Sequence, residues 1–150
     1  MDKNLKEKIE SEISRINRLF DNGKPLMASC KIKEPDFTER FAITYFLQSF
    51  YTGIESIVEL IFKHSEENVS FDKHWHKRLL AQAFESTEKR TRIFKDDYRK
   101  QLEEYLTFRH FSRHSYGIEI DWQRLRPLMT DVEKVWGLIQ QDIHTFIENH

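Results

Sequence analysis

Residues 36–62 read DFTERFAITYFLQSFYTGIESIVELIF. Asp36 followed by Glu39 has the form of a capping box, in which each side chain satisfies the other residue's backbone N–H at a helix start. From there apolar residues recur at 37, 41, 46/47, 50/51, 54, 57/58 and 61/62. That is the period of a helix, with a stripe wide enough to make it the most buried in the chain. Gln48, Glu55, Glu59 and several hydroxyls interrupt it, so it reads as a core helix and not as a membrane span. Gly53 inside it costs about 1 kcal/mol against alanine, a cost that close approach by another backbone would explain.

Working outward, Leu5, Ile9, Ile13, Ile16 and Phe20 form a narrow apolar stripe on a preceding helix. DNG at 21–23 is expected to end it with Gly23 as the cap, and 24–35, with two prolines, is expected to be a loop carrying Cys30. After HSEENVS (64–70), Ser70 or Asp72 can start a helix over about 71–86. A further helix is expected from about 91 to 115, stopped by Gly117. Pro127 is expected in the first turn of a last helix. That helix carries Leu128, Val132, Val135, Trp136, Ile139, Ile143, Phe146 and Ile147 in one stripe. These elements predict an all-α, up-and-down bundle of about four to five helices in a single domain over 1–150.

The totals agree with this reading. There are 150 residues, enough for one core, with 4 glycines and 3 prolines, too few for the turns of an all-β fold. Charged residues are 33% and mean hydropathy is −0.69, which fits helices with solvated outer faces. A net charge of −1 excludes a globally basic nucleic-acid binder, so any such contact must come from a local patch. One cysteine allows no internal disulfide and suits a reducing compartment. The charged start MDKNLKEKIE lacks the apolar run of a signal peptide. A cytoplasmic protein without membrane contact is expected.

The chemistry concentrates in FRHFSRHSYG, residues 108–117. With Arg109 at zero on a helix, Arg113 falls near ~40°, His110 near ~100°, His114 near ~140° and Tyr116 near ~−20°. Phe108 and Phe111 fall on the other side. One face therefore gathers two guanidiniums, two imidazoles and a phenol. Imidazole transfers protons near neutral pH, and guanidinium binds phosphate bidentately. With no acidic cluster beside them, these groups suit phosphodiester cleavage through the RNA 2′-OH, a hydroxyl that DNA lacks.

Arg109, four residues, His114, one residue, Tyr116 reads R-x-x-x-x-H-x-Y. This resembles the motif of HEPN-fold ribonucleases, in particular the HepT-like toxins of toxin–antitoxin pairs. The stretches FLQSFYTGIESIVELI (46–61), WHKRLL (75–80) and YGIEIDWQRLRPL (116–128) carry the same resemblance, which covers about residues 40–148 and leaves 1–35 as an N-terminal helix and linker. It implies a HEPN-like homodimer with the two motif helices facing across a cleft. It also implies metal-independent RNA cleavage by Arg109 and His114, with no cofactor and no metal. The implied partner is a minimal nucleotidyltransferase antitoxin that transfers AMP to Tyr116. His110 stands where HepT-like toxins often have Asn; it would tune the site, and Arg113 would be a second phosphate contact.

Other readings stay beside this one. The same cations can simply serve a helix C-terminus, whose dipole favours them. His110 and His114 have the i, i+4 spacing of a metal pair but lack an evident third ligand. His74 and His76 flank Trp75 and are expected at the surface or as a cap. The mostly basic segment 89–100 can guide RNA, or be a solvated face with pairs such as Asp96–Lys100. Glu119 and Asp121 are expected to cap the following helix or to pair with Arg113 or Arg124. A second functional class is a non-catalytic helical partner, or modification target, of a nucleotidyltransferase; His110 is its main support.

Overall fold

The structure is a computed structural model that describes residues 1–65, 67, 71–114 and 120–150. Among the described residues it is an all-α, up-and-down bundle of five helices: α1 (Lys3–Ile32), α2 (Phe37–His64), α3 (Trp75–Ala83), α4 (Arg99–His114) and α5 (Trp122–Glu148). The 3-10 turn Asp96–Tyr98 leads into α4.

The expected stripes are the core. Leu5, Ile9, Ile13, Ile16 and Phe20 of α1 are buried, as is every stripe position of α5. Helix α2 lies at the centre. Its capping box is complete: Glu39 N–H donates to Asp36 Oδ1 at 2.8 Å, and Asp36 N–H donates to Glu39 Oε1 at 3.1 Å. Phe50 sits at the hub, edge-on to Phe20, Tyr105 and Trp136 at 5.4–6.1 Å. Two stripe positions differ from expectation. Phe37 and Phe41 are exposed and lean on each other, because with Tyr45, also exposed, they follow at steps of four along the outward side of α2, while Ile43, Phe46 and Leu47 take the packed side.

Four boundaries also differ. Helix α1 does not end at Gly23; it continues nine residues to Ile32, with Gly23 buried inside it and Cys30 on the helix. Met27 is buried and Leu26 and Cys30 pack on the core, which outweighs the cost of Pro25. Pro25 is on the exposed side, where water can take the carbonyl that its missing N–H leaves unpaired. Helix α5 begins at Trp122, capped by Asp121, whose Oδ1 accepts from Arg124 N–H at 2.9 Å. Pro127 is therefore inside α5 and not in its first turn, again on the exposed side.

The third is the segment 86–95, which is irregular and not the start of α4. Arg90 organises it. Its side chain is 1% exposed and makes a two-point pair with Glu67 at 2.8 and 2.9 Å. It also donates to the carbonyls of Gln82, Glu85 and Thr91 and lies over the Phe62 ring. The backbone N–H groups of Ile93 and Phe94 turn back to Ala83 O. Helix α3 is shorter than expected, starting at Trp75, with Asp72 accepting from His74 N–H and from Arg78 ahead of it.

Candidate functional site

Helix α4 carries the motif. Phe108 is buried, which turns the polar positions outward. Arg109 is half-buried, and His110, Arg113 and His114 are exposed. Phe111 is half-buried under the guanidinium of Arg124, 3.9 Å from its ring centre. The segregation expected from helical spacing is thus present. Arg113 and His114 occupy the last turn of α4. Tyr116 and Glu119 lie outside the described residues.

Helix α4 is registered on α2 by polar contacts. Gln48 Nε2 donates to Ser112 Oγ at 2.6 Å, and Ser112 Oγ donates to Arg109 O at 3.1 Å. One turn further along α2, Thr52 Oγ1 accepts from Arg109 Nε at 3.2 Å. Two of the polar breaks in α2, Gln48 and the Thr52 hydroxyl, therefore receive the motif helix. His110 and His114 come together as one turn of helix dictates, ring centres 4.8 Å apart and edge to face. No group of three or more His, Cys, Asp or Glu side chains among the described residues could hold a metal ion.

Sequence reasoning missed a second cluster beside Arg109. Glu55, one turn beyond Thr52, has a side chain only 7% exposed, and its Oε2 lies 2.7 Å from His76 Nδ1 of α3. His76 is 29% exposed and its ring packs on Trp75, 3.7 Å between centres. Burial pushes the Glu55 carboxyl up; the His76 hydrogen bond and charge, and then the charge of Arg109, pull it partly back. Tyr51, on the preceding turn, is pushed well up by burial and by Glu55, and Arg109 opposes this too. The signal in the sequence was a glutamate amid an apolar helix, which has to find a partner.

The basic segment is engaged mainly within the chain. Arg90 is buried as described. Arg92 and Arg99 both lie within 3.8 Å of Asp96, Arg99 also meets Glu103, and Lys95 Nζ lies 3.8 Å from Asp142. Asp96 is thus paired with arginines rather than with Lys100 as the spacing suggested. Cys30 is half-buried on α1, not in a loop, and burial raises its thiol, so it is a poor nucleophile. Among the described residues no helix is long and apolar enough to cross a membrane.

Comparison with curated proteins and with solved structures found no match. A protein-family comparison matched residues 42–150 to the family described as HepT-like protein. The match begins in the second turn of α2 and takes in the α2–α4 contact, the motif and all of α5. The chain belongs to the HepT-like family.

Proposed function

We propose that this chain is the toxin of a toxin–antitoxin pair, a homodimeric, metal-independent endoribonuclease in which Arg109 and His114 carry the chemistry. Family membership supports the toxin role. The observation that supports the chemistry is the outward face of α4, where the exposed imidazole of His114 stands on the same helix as the guanidinium of Arg109, docked on Thr52. His114 takes the proton from the RNA 2′-OH. The 2′-oxygen attacks phosphorus, and the 5′-oxygen leaves, taking a proton back from the imidazolium. The products are a 2′,3′-cyclic phosphate and a 5′-hydroxyl end. Arg109 binds the non-bridging oxygens and stabilises the charge that builds on them. Arg113 adds a second phosphate contact, and His110 tunes the imidazole it packs against.

A second copy places its own motif helix across a cleft, so that two sets of these residues face one RNA strand. The partner is a minimal nucleotidyltransferase, which silences the site by transferring AMP to Tyr116.

One observation favours a second reading. His110 puts a ring, not an amide, against His114. That supports a non-catalytic helical partner, or modification target, of the nucleotidyltransferase. Both are tested by RNA cleavage in EDTA with the purified protein, His114→Ala and Arg109→Ala, each first shown folded and dimeric. Each variant should lose about 10²–10⁴-fold in rate. If the unaltered protein leaves several RNA substrates uncut, the ribonuclease reading fails and the second one takes its place.

A further inference from the structure

Among the described residues, five polar or charged side chains are buried: Thr44, Glu55, Arg90, Ser112 and Asp142. Four are satisfied in the manner of structural groups. Thr44 and Ser112 bond helix carbonyls, and Arg90 has a carboxylate and three carbonyls. Asp142 accepts from the Tyr98 hydroxyl and from Lys95 N–H. Glu55 is the exception, since its one hydrogen bond among the described residues is to a partly exposed imidazole. A buried carboxylate held so lightly costs stability, and an apolar residue of similar size would avoid that cost.

Its charge is felt on each element packed around it: by Tyr51 and Glu59 on α2, by His76 in direct contact on α3, and, beyond ion-pair distance, by Arg109 on α4. Arg109 is hydrogen-bonded through Nε to Thr52, three residues before Glu55 and on the same side of α2. That bond leaves the two terminal guanidinium nitrogens for a ligand, and these form one edge of the fork that takes phosphate. A neutral hydroxyl is a weak anchor for a long, charged side chain. A carboxylate one turn away, in a site partly shielded from water, adds the attraction that keeps it there.

We infer that Glu55 is a positioning residue of the site: fixed by His76, it holds Arg109 against Thr52 with the terminal nitrogens turned to the phosphodiester. The kinetic half of this inference rests on the ribonuclease reading. The physical half, the coupling of Glu55 to Arg109, stands without it.

Glu55→Gln keeps the shape and removes the charge. With a single-stranded RNA oligonucleotide, kcat should fall roughly tenfold because Arg109 is less well placed. KM should rise about threefold because a misplaced guanidinium also grips the phosphate less well. Simple loss of folded protein would lower kcat and leave KM alone, so an unchanged or lowered KM overturns the inference. The second readout needs no RNA and no variant. In the unaltered protein, the NMR resonance of Arg109 Nε–H should titrate with the same midpoint as the Glu55 carboxyl carbon. If the protein cuts nothing but the two midpoints coincide, the ribonuclease reading falls and the positioning contact stands. If Arg109 ignores the Glu55 titration, the positioning role is wrong whatever the cleavage assay shows.

Discussion

Replacing Gly23 by alanine should destabilise this protein, even though Gly23 lies inside a helix, where alanine is normally the better residue by about 1 kcal/mol. A Cβ built at Gly23 meets Cε2 of Phe46 at 2.8 Å and Cδ2 at 3.0 Å. Carbon atoms prefer about 3.5–4.0 Å, so ring or helix must give by roughly 0.7 Å. The ring has little room: Phe46 is 4% exposed and set edge-on to Phe20, 5.2 Å between centres. Overpacking of this kind costs about 1–3 kcal/mol. Set against the propensity gain, the net loss is about 1 kcal/mol, or a fall of about 2–4 °C in Tm for a chain of this size. The decisive form is a double-mutant cycle with Phe46→Leu, read by urea unfolding followed by circular dichroism. With the ring gone, the new methyl has space and the same change should stabilise by up to about 1 kcal/mol, a coupling near 2 kcal/mol. If Gly23→Ala has the same effect in both backgrounds, within about 0.5 kcal/mol, the close contact of α1 with α2 at this point is wrong.

Arg90→Ala should cost about 3–5 kcal/mol by stranding Glu67 and three carbonyls, while RNA affinity of the folded fraction stays unchanged; weaker RNA binding at equal folded fraction would restore this arginine to a guiding role. Tyr98→Phe should cost about 1–3 kcal/mol, because Asp142 loses its hydroxyl donor and keeps Lys95 N–H and the more distant Lys95 ammonium. Chemical denaturation measures this, and a loss below about 0.5 kcal/mol would mean that water replaces the phenol.

Periodicity carried most of the fold. The stripes of α1, α2 and α5 are one-dimensional patterns, and burial follows them because each helix has one neighbour-facing side. It failed where local signals met tertiary packing. DNG followed by a proline is a strong stop signal, but Met27 and Cys30 lie on the packed side and the proline does not. Pro127 repeats the lesson in α5. The segment 86–95 failed for another reason: one buried arginine, paired with a residue 23 positions earlier, decides its path, and no local pattern announces such a pair.

The site shows the same division. The two-sided character of residues 108–114 was legible because it is a property of a single helix. Which partners would receive it was not, because Thr52 meets Arg109, and His76 meets Glu55 beside them, only through the packing of α2, α3 and α4. Gln48 and Glu55 were visible as polar breaks in an apolar helix. That observation answers whether the helix can enter a membrane, and it says nothing about which element meets the break.

Helix α1 bears on the site although the family match starts after it. Its Ile16 side chain lies where a Cβ on Gly53 would be, 2.7 Å from Cγ1 and 2.8 Å from Cδ1. Gly53 is the residue next to Thr52, and Thr52 holds Arg109. The absence of a side chain at 53 therefore lets α1 press on α2 at the turn that positions the guanidinium. Asn17, the next residue of α1, accepts from Trp136 Nε1 of α5 at 2.8 Å, so the same turn of α1 is also tied to α5. A glycine that weakens α2 by propensity alone thus gains rigid backing from α1 for the segment between Gln48 and Glu55. Precise placement of a guanidinium depends on such backing, since the side chain itself is long and its anchor is a single hydroxyl.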